Sequence, residues 1–201
     1  MAFNGEVVRE LASQFLALAE KQGAAVPLMI GHRIMGQTLV LTGDFAGAVA
    51  HFDQSLELYD PVKHRSLAAR FVIDTRVTIL SYRALALWVL GYPEKAVADT
   101  DDAIKDAREI GQAATLMPNL AHTSVTHIFC GNYATANALL DETVVLADGT
   151  GTFSWKAWGM LNQGSILALT GKAAEAVQSL TCGITARRSR GHTIWIGTYH
   201  I

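Results

Sequence analysis

Apolar positions in this chain recur at intervals of three and four residues, and no stretch of any length alternates with the two-residue period of a half-buried strand. The segment LVLTGDFAGAVAHFDQSL, Leu39 to Leu56, contains the unit of the pattern. An apolar helix runs to a Thr-Gly break, and a second helix with charges between its apolar positions follows at once. The glycine returns as Gly91 in VLGYPEKAV, Gly131 in FCGNYATAN and Gly171 in LTGKAAEAV, so that from Gly43 onward the spacings are 48, 40 and 40 residues. Five residues after each glycine stands an alanine: Ala48, Ala96, Ala136 and Ala176. Seven residues before it stand Gly36, Ala84, Ser124 and Gly164, and twelve after it Ser55, Ala103, Thr143 and Gly183. Small side chains in one register predict pairs of antiparallel helices whose backbones approach closely where they cross. The glycine predicts a left-handed helix end. Asp44 and Asn132 suit the N-cap that follows, and Pro93 the first helical turn.

The elements expected from this register are a first helix over 5–22, then pairs at 26–42 with 44–58, about 67–90 with 93–109, 113–130 with 132–147, and 154–170 with 172–189. Pro61 marks a connection after the first pair, and 192–201 reads as the start of a further helix. The whole, 1–201, is expected to be one all-α repeat domain.

Composition narrows the function. Half of the 201 residues are hydrophobic and 17% are charged, which excludes disorder. A net charge of −2 gives no general attraction to nucleic acid or to an anionic membrane. The two cysteines, Cys130 and Cys182, fit a reducing compartment better than a disulfide framework. The start, Met-Ala-Phe-Asn-Gly-Glu, lacks the basic and apolar run of a signal peptide, and the greasiest window, 24–41, contains His32, Arg33 and Gln37. The expectation is a cytoplasmic protein with neither membrane nor nucleic-acid partner.

The columns of small residues, with GDFAGAVAHFDQSL itself, resemble the tetratricopeptide repeat (TPR) in a variant of about 40 residues rather than the usual ~34. The resemblance covers roughly 25–190 and implies an α-solenoid of about four helix pairs wound as a right-handed superhelix. The first helix of each pair would line its inner face. A narrower resemblance rests on Leu-Tyr-Asp-Pro (58–61) with His-Arg-Ser (64–66), Ala-Leu-Trp-Val-Leu-Gly-Tyr-Pro (86–93) and Trp-Lys-Ala-Trp-Gly (155–159). These resemble the C-terminal repeat region of large bacterial signalling proteins, which carry an adenylate/guanylate cyclase or DNA-binding domain, then an AAA-type ATPase, then repeats. After Phe71, where a Gly-x-Asp-Pro is expected in that group, Val72-Ile73-Asp74-Thr75 stands. The resemblance implies a repeat module of bacterial signal transduction without the catalytic parts.

No catalytic constellation appears. There is no phosphate-binding G-x-x-x-x-G-K-[ST], and DGTGTFSWK lacks its spacing. The serines have no G-x-S-x-G setting. His122, His127 and Cys130 have helical metal-ligand spacing but lie among apolar neighbours, and no fourth ligand is evident. Asp99, Asp101, Asp102 and Asp106 lie on a helix rather than in a calcium loop and read as a solvated face. Arg187, Arg188 and Arg190 suit a helix C-terminus. The chain is therefore expected to be non-enzymatic, with no cofactor and no metal.

What remains is a surface. On the inner face, Arg33, Gln37, Ser81, Trp88, His122 and Trp158 are the expected contacts for a protein or peptide partner. The alternative function is a small-molecule sensor in a signalling ATPase or cyclase system. The tail GHTIWIGTYHI offers Ile194, Trp195, Ile196 and Tyr199 with few charges, which suggests packing on the fourth pair or a homodimer through the C-terminal end.

Overall fold

The computed structural model describes residues 4–189, all of whose regular structure is helical. The helices are α1 (Gly5–Gln22), α2 (Ala25–Thr42), α3 (Phe45–Leu58), α4 (Pro61–His64), a 3-10 turn (Arg65–Leu67), α5 (Ala68–Phe71), α6 (Thr75–Val89), α7 (Pro93–Ile110), α8 (Ala113–Phe129), α9 (Tyr133–Thr150), α10 (Phe153–Leu169) and α11 (Ala173–Arg188). The helix expected over 192–201, and the tail packing or self-association built on it, lie outside the described residues. None of the described helices is long and apolar enough to cross a membrane.

Four turns share one hydrogen-bonding scheme. Gly43, Gly91, Gly131 and Gly171 all have φ between 75° and 88°, a region that costs glycine nothing. In each turn the residue after the glycine donates its amide back to a carbonyl inside the preceding helix: Asp44 to Leu39 at 2.9 Å, Tyr92 to Leu87 at 2.9 Å, Asn132 to His127 at 2.8 Å and Lys172 to Leu167 at 2.8 Å. This is the six-to-one bond of a Schellman end. Asp44 then caps α3 by accepting from the Gly47 amide at 3.0 Å. Asn132, expected to cap in the same way, makes no side-chain capping bond.

Contacts gather into two compact units, 4–119 and, among the described residues, 120–189. Each has its own core, because in a helical repeat a helix contacts mainly its sequence neighbours. In the first unit Phe52 is fully buried with Met35, Leu39, Ala48 and Ile79. Burying such a ring contributes roughly 2–3 kcal/mol. The ring needs Gly36, where a Cβ would lie 2.5 Å from it. Ser55 ties the same hairpin together by donating to the Met29 carbonyl at 2.7 Å. In the second unit Gly164 faces Leu180, Gly183 faces Leu161, and Ser179 donates to the Met160 carbonyl at 2.9 Å. Ala96, Ala136 and Ala176 are buried at their crossings.

One boundary differs from the expectation. The helix expected from about 67 begins at Thr75, and 61–71 is broken into short turns. The cause is local. Val72 has φ 71°, which ends α5, and Asp74 starts α6 afresh by accepting from the Val77 amide at 3.0 Å. The eight additional residues between Gly43 and Gly91 accommodate this insert.

Candidate partner-binding site

Within unit 4–119, α2 carries Arg33 and Gln37 one turn apart, and Arg33 Nη1 donates to Gln37 Oε1 at 3.0 Å. Arg33 Nε is buried and has no hydrogen-bond partner. Burial pulls the guanidinium below the ordinary arginine value, with Tyr82 of α6 opposing. Tyr82 is half-buried, and desolvation pushes its phenol up against a hydrogen bond with Gln37 and the charge on Arg33. A cation, an amide and a phenol thus meet with no carboxylate among the described residues paired to the cation. Taking a charge out of water without a counter-ion costs several kcal/mol. An anionic group arriving from outside would offset that cost.

Ser81 does not belong to this surface. It is buried, accepts from Asn119 Nδ2 at 2.8 Å and donates to the Val77 carbonyl at 2.7 Å. Its place on the expected contact surface is therefore corrected: it is an internal link between α6 and α8. Trp88 is half-buried and packs against the Ala84, Leu87 and Ala96 cluster, leaving part of the ring accessible.

Within unit 120–189, Trp158 is buried, and its indole N–H donates to the Ala121 carbonyl at 3.2 Å. It too is corrected from contact residue to core, because the indole needs that carbonyl once it is out of water. The Arg187 guanidinium lies over its ring at 5.0 Å. His122 is half-buried and meets Trp155 and Trp158 edge-on, at ring centroid distances of 5.6 and 5.8 Å. The accessible part of this cluster is His122 with half-buried Trp155. Trp155 was missed, although its spacing of three from Trp158 puts both on one helix face.

The acidic face of α7 is not simply solvated. Asp99 is buried and takes a two-pronged contact from Arg83, Nε to Oδ2 at 2.7 Å and Nη2 to Oδ1 at 2.8 Å. Arg76 of α6 bridges Asp106 and Asp102, and Arg65 of the insert bridges Asp106 and Glu109. Asp101 and Asp102 remain exposed, as expected of a wet face. The three arginines with Asp99, Asp102 and Asp106 line a pocket of about 400 Å³, closed by Leu56, Tyr59 and Leu80. Tyr59 donates to Asp74 at 2.9 Å, and burial and then the Asp74 charge push its phenol well up. The Leu-Tyr-Asp-Pro segment and Arg65 of His-Arg-Ser therefore build this corner of the insert. Among the described residues no group of three or more His, Cys, Asp or Glu is placed to hold a metal ion.

A sequence profile of the tetratricopeptide repeat matches residues 30–54. No curated protein sequence matches the chain. Among solved structures, the nearly identical TPR-like repeats of a Podosopora anserina protein described as a kinesin light chain share the fold. A glutamine-to-methionine form of them superposes with a TM-score of 0.63 at 13% identity, over 94% of this chain and 89% of that one. Another form gives 0.58 at 12% identity, over 96% and 100%. A Rap protein solved with Competence and Sporulation Factor gives 0.62 at 12% identity, over 93% of this chain and 56% of the Rap chain. The chain is built of TPR-like helical repeats.

Proposed function

We propose that this chain is a non-catalytic interaction module that binds an acidic segment of a protein partner. The observation that carries the reading is Arg33, a half-buried guanidinium with a buried, unpartnered Nε and no carboxylate paired to it. Gln37 and Tyr82 orient it, so an incoming carboxylate would meet a pre-set donor rather than a flexible one. In the other unit, His122 and Trp155 offer aromatic contact area of the kind found at interface hot spots. The likeness to a Rap protein solved in complex with Competence and Sporulation Factor supports a binding role over a catalytic one. The Leu-Tyr-Asp-Pro, Ala-Leu-Trp-Val-Leu-Gly-Tyr-Pro and Trp-Lys-Ala-Trp-Gly segments support placing it in bacterial signal transduction. The pocket of about 400 Å³ beside Arg83 favours a second reading, a small-molecule sensor.

A peptide array of acidic and neutral sequences, probed with the purified chain, tests the first reading. Acidic sequences should be selected, and Arg33→Met should weaken the best of them about tenfold or more, as expected when one partner of a buried charge pair is removed. The same substitution should raise the stability of the unliganded chain by up to about 1 kcal/mol, because a half-buried guanidinium with no paired carboxylate is gone. Selection of neutral sequences, or undiminished binding by the variant, would sink the acidic-partner reading.

A further inference from the structure

His32 of α2 and His51 of α3 stand outside the surface just described. Their Nδ1 atoms face each other at 3.0 Å, with ring centroids 5.2 Å apart and planes tilted by 33°. Both rings are half-buried. They sit on the hairpin held by the Gly43 turn and by the Ser55–Met29 bond, so their separation is set by the backbone rather than by two free side chains. We propose that His32 and His51 form a two-imidazole site for a late first-row divalent cation, zinc or copper.

The geometry supports a shared ion. Metal–imidazole bonds of about 2.0–2.1 Å put neighbouring nitrogens roughly 2.9 Å apart in a square arrangement and roughly 3.3 Å apart in a tetrahedral one. The observed separation lies between the two, so a small tilt of the rings suffices. The electrostatics agree. Burial, the largest effect on either ring, lowers both imidazoles below their ordinary value, so both are neutral ligands at pH 7. Glu20 on both rings and Asp44 on His51 offset part of the burial effect in favour of a positive charge, while His32 opposes one at His51. With the two rings hydrogen-bonded to each other, one Nδ1 carries the proton and the other accepts it. On binding, the ring that held the proton at Nδ1 carries it at Nε2 instead, and both Nδ1 lone pairs go to the ion. No redox step and no net proton release are required. With no third protein ligand placed among the described residues, water completes the coordination sphere. Magnesium and calcium, which want oxygen ligands, are not held.

The test uses the full chain, tag-free and stripped of metal. Calorimetric titration with zinc chloride and with copper(II) chloride should give one equivalent of either ion and none of magnesium. His32→Asn and His51→Asn, which keep hydrogen-bonding ability, should each weaken binding by about tenfold or more. Circular dichroism identifies a variant that fails to fold. A second measurement needs no variant: on adding zinc to the ¹⁵N-labelled chain, the Nδ1 resonances of His32 and His51 should shift, out of seven histidines in all. Failure to bind zinc or copper, equal binding by the folded variants, or shifts confined to other histidines would overturn the site.

Discussion

At the scale of single residues, two positions work against their surroundings, and they do so for different reasons. Arg33 is a charge without a counter-charge. Val72 is a β-branched residue at φ 71°, where such side chains are rarely found. A conformation of this kind costs of order 1–3 kcal/mol. Because the Val72 side chain is 61% exposed, little burial is lost on removing it. Val72→Gly should therefore stabilise the chain by about 1 kcal/mol net of glycine's greater freedom in the unfolded state. A urea denaturation midpoint that falls instead would show that Val72 is held by packing and not by backbone necessity. Legibility at this scale divides along the same line. Arg33 and Gln37 could be paired from sequence because a spacing of four on a helix is a local fact. The burial of Ser81 and Trp158 could not, since it depends on Asn119 and Ala121, which belong to another helix. The Val72 turn was hidden because nothing in a valine announces a positive φ.

At the scale of elements, the helix crossings were legible and the insert was not. A crossing imposes the same demand four times, a small residue at a fixed distance from a glycine, and repetition makes the demand visible. The insert at 61–71 occurs once, and its helical composition concealed the breaks. The Gly36 crossing gives a direct test. Gly36→Ala should destabilise by about 1–3 kcal/mol, because its Cβ would press on the Phe52 ring. Adding Phe52→Leu to the same chain should recover part of that loss, and strict additivity of the two would refute the contact. The α6–α7 ion pairs give another. Asp99 and Arg83 are largely shielded, their side chains 11% and 21% exposed. Asp99→Ala should therefore cost about 1–3 kcal/mol, whereas Asp102→Ala, at an exposed position, should cost well under 1 kcal/mol. Thermal melts that rank the two in the opposite order would show the Arg83–Asp99 pair to be a surface feature.

At the scale of the whole molecule, stability should depend on acidity through the His32–His51 pair. Burial lowers both imidazoles below the ordinary 6.5. The unfolded chain then binds protons at a pH where the folded chain does not. This contribution is complete above about pH 6.5 and is lost as the pH falls from there through the lowered folded values. Urea midpoints measured at pH 7.5, 6.5 and 5.5 should decline toward the acid end, and a chain carrying both His32→Asn and His51→Asn should show a flatter profile. An unchanged slope would remove the pair from the account. The four glycine turns have a consequence for how the fold breathes. Amides just past a helix end ordinarily exchange their hydrogens quickly, because water is their only partner. Here the amides of Asp44, Tyr92, Asn132 and Lys172 are each tied to a carbonyl five residues back. Deuterium should enter them as slowly as it enters the helix interior, so each turn opens only when its preceding helix gives way, and the hairpin rather than the linker is the smallest piece that comes loose.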